Sequence, residues 1–366
     1  MDSRERTLIA LNHEEPDRVP VDCWMSAGFE RRLAAETGLS RADFLDRHDV
    51  DLRYIAGPDY IGPPLGRFDG GVDGDIWGVR RQAVEVDVGG GRETYREVAH
   101  SPLASCTTVG EVEAYDHWPS PDWFDYSPIE AQCRTIADQG RVAVFMGDRL
   151  NRLAQLKPAM YLRGVERIFV DLVDNPDLAR AIIGRIRDFY LGYAERIFAA
   201  AGGRLDLLLM GDDFGSQRGP LVSPAMWGEF LAEGFAAYID LAHSCDVQVM
   251  HHTCGSVRPL IPSFIDRGLD VLQSLQPEAE DMDPARLKAE FGQRLAFHGG
   301  LSIQQTLPFG TEAEVRAEVA ARVAALAPGG GYILGTSHNL QADVSPANAE
   351  ALFGAYRDLG SYPLRG

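Results

Sequence analysis

The chain has 366 residues, 45% of them apolar and 24% charged. These figures suit a large α/β fold with a packed core and exclude disordered, collagen-like and coiled-coil classes. With 54 acidic against 35 basic residues the net charge is −19, which repels phosphate backbones and anionic bilayers, so neither nucleic acid nor a membrane is an expected partner.

The N-terminal 22 residues are charged and lack an apolar core segment, so they do not read as a signal peptide. Three short helices are predicted: residues 3–12 capped by Asp2 or Ser3, residues 28–37 stopped by Gly38, and residues 41–48 capped by Ser40. A first barrel strand is expected over 51–55. Residues 79–88 and 93–98 alternate around Gly89-Gly90-Gly91, the pattern of a β-hairpin with a glycine turn. Residues 1–140 thus read as an N-terminal helical and β-hairpin elaboration plus the first strand, within one domain spanning 1–366.

From residue 141 to 366 short apolar runs alternate with longer amphipathic stretches. The runs cover 142–146, 205–210, 247–251, 271–275, 295–298 and 332–334, and the helical patterns 178–200, 226–244, 257–267 and 312–326. Strand followed by helix, repeated, predicts parallel strands with right-handed crossovers. No glycine-rich nucleotide loop follows an early strand, so the expected fold is a (β/α)8 TIM barrel, not an open doubly wound sheet.

Several of these strands end in polar clusters: Asp212-Asp213 with Ser216 and Gln217, His252-Thr253-Cys254, His298 before two glycines, and His338-Asn339. Active sites of such barrels are built where the strands end, so these groups converge on one mouth. In an extended segment residues i and i+2 share a side, so His252 and Cys254 can face one metal ion, and zinc accepts such N and S donors. The third ligand is His338 or one of the two aspartates. The same alternation lets only one of Asp212 and Asp213 enter the mouth, for substrate orientation or acid–base work. Ser216, Gln217, His298 and Asn339 are candidate substrate contacts or loop-closing groups, and Trp77 either borders the pocket or closes the core. The five cysteines, few and scattered, do not form a disulfide framework and point to a reducing, cytoplasmic setting.

Residues 6–20 (RTLIALNHEEPDRVP) and 335–348 (GTSHNLQADVSPAN) resemble the opening and the closing loop of the uroporphyrinogen decarboxylase superfamily. Phe297-His-Gly-Gly300 and Leu307-Pro-Phe-Gly-Thr311 are similar to further segments of it. His252-Thr-Cys254-Gly255 resembles the zinc-binding segment of its methylcobamide:coenzyme M methyltransferase branch. That resemblance implies zinc held by His252, Cys254 and a third group, and methyl transfer to or from a corrinoid on a separate protein, because this chain shows no corrinoid-binding segment. Where the branch carries a second cysteine, this chain has Ser337-His338-Asn339. Decarboxylases bind substrate carboxylates with arginines after the opening motif. Here residues 23–29 contain none, which argues against uroporphyrinogen as substrate. The alternatives are a metal-free decarboxylase or lyase for a small acid, using Asp213 and His338, and a non-catalytic ligand-binding barrel. A homodimer through surface helices is a further expected arrangement.

Overall fold

A computed structural model describes residues 1–89, 91–147 and 152–364. Seven parallel strands follow one another in a single curled sheet: β1 (Leu52–Ile55), β2 (Val142–Phe145), β3 (Leu207–Gly211), β4 (Gln248–His252), β5 (Val271–Leu275), β6 (Ala296–Leu301) and β7 (Tyr332–Thr336). Between β7 and β1 runs an irregular segment, residues 20–22. Asp22 N–H donates to Leu334 O at 2.9 Å, Leu334 N–H to Pro20 O at 2.8 Å, and Asp51 N–H to Val21 O at 2.9 Å. Pro20 has no N–H to offer a ladder, which explains why this stretch bridges its neighbours without forming a regular strand.

The strands alternate as a pleat requires. Leu207, Leu209, Met250, Val271, Ala296 and Ile333 pack together on the inside, closed from below by Leu11 of the helix Ser3–Leu11. Leu208, Met210, Val249, Leu272 and Phe297 face outward into the larger core beneath the helices. The interior is therefore filled with side chains at its base, and only its upper end is available for chemistry.

The residues of the opening motif are structural. Arg6 and Arg18 both bind the fully buried Asp51, each at 2.7 Å, and Arg6 also holds Asp17 at 2.7 Å. This knits the N-terminus to the base of β1. Asn348 joins two other motif segments, donating from Nδ2 to Leu307 O at 2.9 Å and Gly310 O at 2.8 Å.

The early helices form where capping predicts. Asp2 caps the first, Ser26 and Gly38 (φ 76°) bracket Ala27–Thr37, and Ser40 forms a capping box with Asp43 at Arg41–Arg47. Strands Arg80–Asp87 and Arg92–His100 pair antiparallel and extend into a four-stranded sheet with Arg67–Phe68 and Val72–Gly74. The middle residue of the expected glycine turn, Gly90, lies outside the described residues. Two expected helices are interrupted. The pattern over 226–244 splits at Leu231 (φ −120°) into Pro224–Phe230 and Ala232–His243, and that over 257–267 begins as a 3-10 turn. The continuous apolar periodicity had hidden both breaks. Among the described residues no helix is long and apolar enough to cross a membrane.

Candidate metal centre

His252 is the last residue of β4 and points into the barrel, on the same side as Met250. Its Nδ1 lies 2.6 Å from Gln273 Oε1, on the paired position of β5. An amide oxygen only accepts, so Nδ1 carries the proton and Nε2 keeps its lone pair. Two residues on, Cys254 Sγ lies 3.5 Å from that Nε2. Gly255 then turns at φ 80°, and a Cβ there would sit 2.5 Å from Ser216 O. Glycine after the cysteine is thus a steric requirement of two loops passing at backbone contact.

His338 arrives from the loop after β7. Its Nδ1 hydrogen-bonds Asn339 Oδ1, which again leaves Nε2 as the free lone pair. Its ring centroid lies 5.5 Å from that of His252. One donor atom each from His252, Cys254 and His338 fall within 4.8 Å of one another. Two imidazoles and a thiol, both imidazoles oriented by amide oxygens, are a donor set that zinc fits. Burial holds His252 and His338 below the ordinary histidine range, hence neutral, as ligands must be. Burial and the nearby Asp213 push the Cys254 thiol up to about 12, so it stays protonated until a metal displaces the proton.

The two adjacent aspartates separate. Asp213 turns into the cavity, 2.5 Å from Lys157 Nζ and 3.7 Å from His252 Nε2. Burial resists its ionisation, but the Lys157 ammonium beside it and the Cys254 N–H that it accepts hold its carboxyl below the usual range. Asp212 faces away. Its carboxyl accepts the backbone N–H groups of Gln155, Leu156 and Lys157 at 2.6, 2.7 and 2.6 Å, capping the helix Leu156–Arg163. The expectation that Asp212 is a catalytic candidate is corrected accordingly: its oxygens are engaged in a helix cap.

Other expected contacts divide in the same way. Gln217 and Asn339 border the cavity. Ser216 does not; its hydroxyl donates to Gly219 O at 2.9 Å and closes its own loop. His298 lies outside the cavity wall, buried and bound through Nε2 to Asp22 Oδ2 at 2.9 Å. Trp77 combines both readings: it is buried edge-on against Phe189 at 5.0 Å and also borders the cavity.

The cavity above the triad measures about 740 Å³. Part of its wall was missed from sequence. Trp24 lies 5.6 Å from the His252 ring, donates from Nε1 to Tyr54 at 2.6 Å, and Tyr54 donates to Asp22 at 2.5 Å. Arg152 stacks over Trp24, and Lys157 pairs with Asp213. Residues 23–29 supply no arginine, but cations reach the cavity from other elements.

Among solved structures, a methyltransferase from Methanosarcina mazei superposes with a TM-score of 0.69 at 16% identity, covering 98% of this chain and 99% of that one. A sugar phosphate isomerase/epimerase from Parabacteroides distasonis superposes with a TM-score of 0.38 at 9% identity, covering 96% and 99%. The first likeness shows a shared α/β fold with a curled parallel sheet. No curated protein matches the sequence. The family model for uroporphyrinogen decarboxylase (URO-D) matches residues 154–359, which supply five of the seven central strands and all three donors of the triad. The chain therefore belongs to the uroporphyrinogen decarboxylase family.

Proposed function

We propose that the chain is a zinc-dependent methyltransferase, moving a methyl group between a small thiol, ether or amine and a corrinoid carried by a separate protein. The reading takes the curled sheet as a (β/α)8 barrel with residues 20–22 as its eighth stave. The observation that carries it is the juxtaposition of His252, Cys254 and His338 at the upper end of the barrel interior. Three protein ligands leave the open position that distinguishes a catalytic zinc site from a structural one. The fold shared with the Methanosarcina mazei methyltransferase supports the reading.

Zinc bound there supplies a Lewis acid that lowers the pKa of a coordinated thiol or polarises an ether oxygen. The chain's own residues do the rest. Gln273 and Asn339 fix the two imidazoles so that both Nε2 atoms face the same point. Cys254 would hold the ion as its thiolate, its proton passing to solvent. Asp213, kept ionised beside Lys157, is too weak a base to take a proton but well suited to accept a hydrogen bond and orient the substrate. The test is methyl transfer with methylcobalamin as carrier. Activity lost on chelation and restored by zinc supports the reading; activity indifferent to chelation contradicts it.

A second reading, lyase chemistry on a small carboxylic acid, has one observation in its favour: Lys157 and Asp213 form a cation–carboxylate pair inside the cavity without needing a metal. Chelator-insensitive release of carbon dioxide from such an acid would establish it.

A further inference from the structure

Behind the cavity wall runs a hydrogen-bond chain whose direction is fixed by its first member. An indole N–H can only donate, so Trp24 Nε1 gives its hydrogen to the Tyr54 oxygen at 2.6 Å. Tyr54 passes its own hydrogen to Asp22 Oδ2 at 2.5 Å. His298 Nε2 reaches the same oxygen at 2.9 Å, and Cys23 N–H donates to Oδ1 at 2.8 Å. Trp24 and Tyr54 border the cavity, while Asp22 and His298 are buried behind them. The methyl transfer proposed above makes no use of this chain. A buried polar chain is costly when a link is missing, and a satisfied one rigidifies what it holds.

What it holds is the Trp24 ring. That ring lies 5.6 Å from the His252 imidazole and 6.5 Å from that of His338, edge-on to the latter at 87°. The two imidazoles lie 5.5 Å apart, so the three rings close a triangle. The Trp24 backbone belongs to the same arrangement. Its carbonyl accepts Leu340 N–H at 2.8 Å, two residues beyond His338. The indole therefore spans from the His338 loop to β1. His338 needs such a stop, because its Nδ1 is bound to Asn339, the next residue of the same loop. That bond selects the tautomer but does not place the ring against the barrel. His252, by contrast, is tied to β5 through Gln273 at 2.6 Å.

We infer that Trp24 is a positioning residue for the two imidazoles, locked by Tyr54, Asp22 and His298, and that it sets where His338 stands against His252. The inference rests on the methyltransferase reading only in making those rings zinc ligands; the ring geometry is a property of the chain itself.

The experiment is nuclear magnetic resonance of the metal-free full chain labelled at histidine. The His252 and His338 ring signals are identified by their loss from His252→Gln and His338→Gln. Tyr54→Phe removes one hydroxyl and keeps the ring. It is expected to move both signals, because the released indole changes its ring current on them, and to leave those of His117 and His243 in place. Zinc affinity, by competition with a chromophoric chelator, is expected to fall about tenfold. His252 and His338 signals that stay in place in Tyr54→Phe overturn the inference, whatever the variant's stability, and so does an unchanged zinc affinity. Where the variant does not fold, the unmodified chain decides. Nuclear Overhauser contacts from the Trp24 indole to both imidazoles, with slow exchange of its Nε1 hydrogen, support the inference, and their absence overturns it. A native chain that binds no zinc sinks the methyltransferase reading alone, since the ring signals are read without metal.

Discussion

Strand β4 carries a histidine on each face of the sheet, and the two regions they enter have opposite chemistry. His251 points outward into the layer beneath the helices, stacked on Phe214 at 5.2 Å and against Phe235 at 5.0 Å. Neither of its ring nitrogens has a hydrogen-bond partner among the described residues, and burial drives its pKa down to about 3. His252 points inward, with Nδ1 on Gln273 and Nε2 toward Cys254. Asp212 and Asp213 repeat the contrast, one locked into a helix cap and the other open to the cavity. One residue of pleat separates a side chain packed in the outer layer from one that faces the cavity.

The contrast can be broken most forcefully at Asp212. Asp212→Ala strips three buried N–H groups of their acceptor, at a cost of about 3 kcal/mol or more in urea unfolding. A change within 0.5 kcal/mol, the scale of an ordinary surface substitution (about 0.5 kcal/mol), would show the cap to be dispensable. The same residue gives a pH signature. Burial outweighs the three N–H groups and raises its carboxyl from 3.8 to about 6. The unfolded chain then releases the proton first. Stability is fully present below the unfolded value and falls as pH rises from about 4 to about 6, by about 2–3 kcal/mol. Asp212→Asn should lack this fall, and a variant that keeps it would assign the fall to another group.

Inside the barrel, the amides behind the histidines set their orientation. Gln273→Ala or Asn339→Ala should weaken zinc at least about tenfold in competition with a chromophoric chelator. Unchanged affinity in both would mean that the imidazoles are positioned by packing alone. The smallest effect is expected in the outer layer. His251→Phe replaces two unpartnered nitrogens with apolar ring atoms, gaining about 1 kcal/mol with zinc affinity unaltered. Loss of zinc in that variant would mean that the two faces are not independent.

Much of this arrangement was legible because it follows from local rules. The strand Val271–Leu275 and the helix Glu312–Leu326 appear over the residues their periodicity marks, and three of the four polar clusters at strand ends meet at the cavity, the His298 cluster being the exception. Which aspartate enters the cavity was not legible, because alternation leaves the phase open until the end of β3 is known. The rest of the wall was invisible for a different reason. Trp24 and Arg152 come from irregular segments, Lys157 from the first turn of a helix and Arg81 from a hairpin, and no spacing in the chain links them. Residues 20–22 escaped because a proline-containing stretch of three residues carries no strand periodicity, although it bridges β7 and β1.

The most direct test of the account is the zinc content of the freshly purified chain beside its Cys254→Ser variant, by elemental analysis with folding checked by circular dichroism. The account predicts about one zinc per chain, as for a site with one bound ion, and its loss from a folded variant. A native chain that takes up no zinc even after incubation with the ion, or a folded variant that holds it undiminished, would contradict the account.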